Sequence, residues 1–189
     1  MNINWESTLH FHPKTLGNAE KGIPLPTYGN YGGVNYSAGE VGGITPDPDN
    51  PPASAPEAKD DLDALFWDHD FVYQQFEDQA PGVDEGTLRT ADVTLIKGIS
   101  ALTFTDPGDL AYDPEAGIYA GFATLAIAGQ LAASGSLDDF SLGDQLAVAF
   151  AVQEAIVNLE SGLAAAPNEG RSLHGAFHVF EAKYLDLFF

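Results

Sequence analysis

Glu57-Ala-Lys-Asp-Asp-Leu-Asp-Ala-Leu-Phe-Trp-Asp-His-Asp-Phe-Val-Tyr-Gln-Gln-Phe76 decides the fold. Leu62, Leu65, Phe66, His69, Tyr73 and Phe76 recur at steps of three and four, the period that lines one face of an α-helix, so a first helix is predicted over 57–76. Glu57, Asp60 and Asp61 near its start suit the positive end of the helix dipole. Downstream, Ala80-Pro-Gly82 is a break, and a second helix is predicted over 85–102, with Leu88, Asp92, Leu95, Ile96 and Ile99 on one side. Asp106-Pro-Gly108 ends it. A third helix, over 114–133, opens on a proline, the residue best tolerated at the first helical position. A fourth, over 141–163, starts with Ser141 and Asp144 at capping-box spacing, and a fifth runs from Ser172 to near the end. Upstream, residues 22–58 hold more than half of the 12 prolines, including Thr45-Pro-Asp-Pro-Asp-Asn-Pro-Pro-Ala-Ser-Ala-Pro56. Such a stretch cannot sustain a helix and reads as an ordered loop followed by a flexible excursion. No alternating strand stands out after residue 40. The expected fold is all-α and a single domain over 1–189: an irregular Gly/Pro-rich N-terminal arm (1–58), an antiparallel helix pair (57–106) and further C-terminal helices (114–189).

Composition narrows the function. Seven basic residues against 28 acidic ones give a formal charge of −21. Nucleic-acid binding needs clustered Lys and Arg to neutralise phosphates, and here no two basic residues are adjacent, so a nucleic-acid partner is excluded. The same charge opposes docking onto an anionic membrane and suits a salty or calcium-rich medium. There is no cysteine, which removes disulfides, thiolate zinc sites and thiol nucleophiles. Residues 116–137 carry no charge and are long enough to span a bilayer. Their Ala/Gly richness and the included Gln130 favour a buried core helix instead.

Asp68-His69-Asp70 is the informative triplet, an imidazole between two carboxylates within an apolar stripe. Tyr73, four residues on, shares the face of His69. A histidine base needs a partner on its far nitrogen to fix the tautomer and stabilise the imidazolium. Asp92 is the only acid on the apolar side of the second helix. His69 lies about 12 residues before the Pro81 turn and Asp92 about 11 after it, so in an antiparallel pair they stand at the same level. Leu65, Phe66 and Tyr73 would then wall the ring, leaving one nitrogen open. Taken alone, the pattern fits a satisfied core histidine equally well. The loop Thr27-Tyr-Gly-Asn-Tyr-Gly-Gly-Val-Asn-Tyr36 adds rows of backbone carbonyls, which with one carboxylate suit a hard cation such as Ca²⁺.

Together, Tyr28-Gly29-Asn30-Tyr31-Gly32-Gly33, then Asp60-Asp61-Leu62-Asp63, then His69-Asp70-Phe71-Val72-Tyr73 resemble the secreted, calcium-dependent phospholipase A2 superfamily. The spacing to Asp92 is similar to that of its small helical bacterial members. The resemblance implies that His69 activates water, that Asp70 and the carbonyls of Tyr31, Gly33 and Asn35 hold calcium, that the Gly33 amide helps hold the oxyanion, and that Tyr73 and Asp92 support His69. Phe66 and Phe71 stand where the family has half-cystines, and Asn35 where its calcium loop has a glycine; asparagine tolerates a positive φ there. The implied activity is hydrolysis of a glycerophospholipid acyl ester. The alternative is a non-catalytic calcium- and lipid-binding module. Membrane contact would be peripheral at most, with Trp5, Ile23, Leu25 and Trp67 as candidate contacts, and the oligomeric state is open. The implied location is secreted, type I export being one route, with the cytoplasm as the alternative. His174 and His178, four apart, have the spacing of zinc ligands but lack a third, and His10 and His12 alternate as on a solvent-facing strand. Asp47 and Asp49 read as solvated acids.

Overall fold

A computed structural model describes residues 3–11, 23–33, 35–102 and 113–165. The fifth predicted helix, His12, His174, His178 and the last residues lie outside the described residues. Among the described residues four α-helices dominate: α1 (Asp61–Glu77), α2 (Glu85–Ala101), α3 (Pro114–Ala133) and α4 (Leu142–Ala165). The N-terminal arm is less irregular than expected. It contains β1 (Ile3–Phe11) paired antiparallel with β2 (Ile23–Tyr28), and a minute ribbon of β3 (Tyr36–Ser37) with β4 (Glu40–Val41). Pro24 and Pro26 had hidden the alternation of Ile23, Leu25 and Thr27. A two-stranded ribbon has only edge strands, where a missing amide donor is tolerated.

Chain contacts group into two compact units, Asn2–Leu95 and Ile96–Phe189, and α2 crosses the division. In the second unit α3 packs on α4. Ala116, Ile118, Phe122, Leu125, Ala128 and Leu131 of α3 and Val148, Val152, Ala155 and Leu159 of α4 are buried. The uncharged stretch 116–137 is thus largely a core helix, although α3 and α4 are each long and apolar enough to cross a membrane. The two backbones approach closely at two glycines. A Cβ on Gly121 would lie 2.7 Å from the Ala155 carbonyl oxygen, and one on Gly162 would lie 2.6 Å from that of Pro114. Asp113 caps α3 by accepting from the amides of Glu115 and Ala116. Ser141 and Asp144 cap α4 reciprocally: the Asp144 amide donates to Ser141 Oγ, which donates to the Asp144 carboxylate at 2.7 Å. The last turn of α2 is tied to α4 by the Lys97–Asp144 ion pair and by the Ser100 hydroxyl donating to Glu154.

In the first unit, α1 begins four residues later than predicted. Asp60 is extended and accepts the Asp63 amide at 2.9 Å, the geometry of an N-cap. The preceding residues serve the loop instead: the Glu57 carbonyl accepts from Asn30 Nδ2, and the Lys59 amide donates to Asp63. The proline run is also held against its surroundings, its Pro46 carbonyl accepting from Trp67 Nε1 and its Pro56 carbonyl from the Tyr31 hydroxyl.

Candidate functional site

Successive residues of a helix turn by about 100°, so α1 presents two adjoining working faces. Asp63, Trp67 and Asp70 fall on one, Leu62, Phe66, His69 and Tyr73 on the next. The first face grips the 28–33 loop. Asp63 is fully buried, and its carboxylate accepts the amides of Asn30, Tyr31 and Lys59 at 2.8–3.1 Å. Burial raises its carboxyl pKa, and those three amides only partly pull it back. The loop closes on itself through Tyr28 N donating to Gly32 O and Gly32 N to Tyr28 O, at 2.6 and 2.8 Å. Its Gly29 has φ of 56°, and any Cβ there would lie 2.2 Å from Asp63 Cγ, so only glycine passes. The Tyr28 hydroxyl donates to Asp60 at 2.6 Å. Tyr31 is buried, and its phenol is pushed up to about 12 by that burial and by the Asp63 charge.

The second face carries the histidine. Nε2 of His69 lies 2.9 Å from Asp92 Oδ1 on α2, and the Tyr73 hydroxyl donates to the same oxygen at 2.9 Å. The His69 and Tyr73 rings stand 4.7 Å apart, and Asp92 is buried. The other nitrogen is not open as expected: Nδ1 lies 3.2 Å from Asp70 Oδ1. Two carboxylates therefore flank one ring, the arrangement of an imidazolium. Burial alone would lower the pKa of His69, but hydrogen bonds and charges from Asp70 and Asp92 outweigh it and raise the pKa to about 9. Asp70 is pushed up to about 6 by burial, with His69 pulling it back and Asp63 adding to the rise. The Tyr73 phenol is raised by burial and by Asp92.

A pH dependence follows. The folded pKa of His69 exceeds its ordinary 6.5, so its stabilisation is complete below that value and is lost as pH rises through about 9. The groups facing it are Asp70 and Tyr73 from α1 and Asp92 from α2. Of these, Asp70 titrates below that window and Tyr73 above it. With calcium chelated, the thermal midpoint should fall between pH 6.5 and 9, and His69→Gln should flatten that fall. An unchanged slope in the variant would place the titration elsewhere.

For a metal, the donors on offer are oxygens, which suits a hard cation. Among the described residues no three His, Asp or Glu side chains are placed to hold one metal ion, so an ion here would depend on backbone carbonyls with Asp70 as its carboxylate. The Gly33 carbonyl accepts the Tyr36 amide at 3.3 Å and that of Asn35 the Gly42 amide at 2.7 Å. Each keeps a second lone pair. Asn35 has φ of 53°, the left-handed conformation a glycine would adopt without strain. Asp70 shares its face with Asp63 and Trp67, both of which touch the loop. Oxygen donors of this kind are those calcium takes; in the structure the Asp70 carboxylate faces His69.

Asp63 was quoted in the sequence motif without a role. Its signal was the seven-residue step to Asp70, two helical turns on one face, on a helix whose other buried positions are apolar. Trp67, a candidate membrane contact, is part-buried, stacks on Tyr31 and donates to the Pro46 carbonyl. Asp49 and Asp47 form a local turn, the Asp49 amide donating to Asp47. Compared with models of known protein families, with curated proteins and with solved structures, the chain matches none of them.

Proposed function

We propose that this chain is a calcium-dependent, phospholipase A2-like hydrolase that cleaves a glycerophospholipid acyl ester with a water activated by His69. The observation that carries the reading is His69 and Tyr73 sharing Asp92 Oδ1 at 2.9 Å, on the helix that also anchors the glycine loop through Asp63. In this reading, once Asp70 has turned away and the Nδ1 proton has passed to solvent, the neutral His69 ring accepts a proton from water at Nδ1 as the oxygen attacks the ester carbonyl carbon. Asp92 fixes the tautomer through Nε2 and stabilises the imidazolium, while Tyr73 holds Asp92 in place. The Gly33 amide donates to the developing oxyanion. His69 then returns the proton to the departing alkoxide, leaving a fatty acid and a lysophospholipid without a covalent intermediate. Calcium held by Asp70 and the carbonyls of Tyr31, Gly33 and Asn35 would supply positive charge to the same carbonyl oxygen.

Hydrolysis of phosphatidylcholine vesicles in calcium, lost in excess chelator, is the expected result. Asp70→Asn should weaken calcium affinity and activity together, because it removes the single charge among the proposed ligands. An unshifted calcium midpoint in that variant would put the ion elsewhere. The contact between Asp70 and His69 Nδ1 favours a second reading, a calcium- and lipid-binding module in which the base is never freed. Calcium and vesicle binding without fatty-acid release would select it.

A further inference from the structure

Trp67 has no part in the chemistry above, yet its surroundings are built. Its indole lies parallel to the Tyr31 ring, centroids 4.4 Å apart and planes 6° apart. Its Nε1 donates to the Pro46 carbonyl at 2.8 Å, and the Tyr31 hydroxyl donates to the Pro56 carbonyl at 2.6 Å. The stacked pair therefore grips both ends of the proline-rich segment and closes it over the loop residue between them. Prolines suit this grip, since a segment with few rotatable backbone angles loses little freedom when its ends are fixed. The amide of Tyr31 is already held by Asp63. With the ring clamped as well, the Tyr31 residue is fixed at its backbone and at its side chain, which sets where its carbonyl points. The chain has no cysteine, so no covalent bridge can do this. Trp67 also stands between Asp63 and Asp70 on one helical face, the place from which a ring reaches the loop without crossing either carboxylate.

We propose that Trp67 is a positioning residue for the 28–33 loop, acting through its stack on Tyr31 to aim the carbonyl that would face calcium. The proposal rests on the calcium reading for its consequence, but not for the clasp itself. The test compares Trp67→Ala with Trp67→Phe, which keeps a stacking ring and loses the bond to Pro46. Two measurements are made on the full chain: amide hydrogen exchange resolved by residue, and calorimetric titration with calcium chloride. In Trp67→Ala the Asn30 and Tyr31 amides should exchange about tenfold faster than in the parent, with α2 amides unchanged and calcium affinity about tenfold weaker. Trp67→Phe should restore both to within about threefold. Should Trp67→Ala not fold, Trp67→Leu, which keeps more apolar volume than alanine without a stacking ring, takes its place. Parent-like exchange at Asn30 and Tyr31 overturns the proposal. So does uniform acceleration across the unit, which is plain destabilisation, or a failure of phenylalanine to rescue. If the parent binds no calcium while the exchange pattern holds, the clasp stands and the calcium reading falls.

Discussion

Replacing His69 with glutamine is expected to lower vesicle hydrolysis by about 10³-fold, the range that a positioned general base contributes. Glutamine has nearly the reach of histidine and can still donate to Asp92, so the buried carboxylate keeps a partner and the helices keep their link. What disappears is a nitrogen able to take a proton near neutral pH. Calcium affinity should hold or improve, because Asp70 loses the ring that now competes for its carboxylate at 3.2 Å. Fatty-acid release, circular dichroism and a calcium titration on the same preparation separate these effects. Activity within tenfold of the parent would sink the mechanism. Lost activity with lost fold would show instead that His69 is structural.

Asp63→Ala is expected to be the most damaging change for stability, by about 3 kcal/mol or more. Its carboxylate is the acceptor for three backbone amides, and a buried donor left without a partner costs about 1–3 kcal/mol. The cavity left at a fully buried position adds to this. Asp63→Asn should cost somewhat less, since one oxygen remains, although its new amide would point donors at donors. Urea unfolding followed at the tryptophans gives the number. The loop reading predicts calcium affinity falling in parallel, and a variant as stable as the parent would mean that the loop does not depend on this anchor.

Legibility in the sequence followed the range of the interaction. The start of α3 was readable because Pro114 is a local signal, and Ser141 with Asp144 announced α4 within a residue. The register of His69 with Asp92 could be counted because only a short Pro-Gly turn separates the two helices. The start of α1 differs from the expectation because Glu57 to Lys59 look helical in isolation, while the Glu57 carbonyl is recruited by Asn30 across 27 residues and the Lys59 amide by Asp63, which also holds the loop. The β1–β2 ribbon was masked by prolines that only an edge strand accepts. The contact of His69 Nδ1 with Asp70 was not legible at all, since periodicity places a side chain on a face but does not choose its rotamer.

The close passage of α3 and α4 at Gly121 and Gly162 bears on how sequence drift in this protein should be interpreted. A Cβ at either position meets a carbonyl of the opposing backbone at 2.7 or 2.6 Å, and a backbone cannot step aside as a flexible side chain can. Under selection for nothing more than a folded chain, both positions would hold to glycine as strictly as His69 would under selection for turnover. Invariance at Gly121 and Gly162 among homologues would therefore report the spacing of two helices, while variation at His69 with those glycines intact would mark lineages that had kept the scaffold without the proposed reaction.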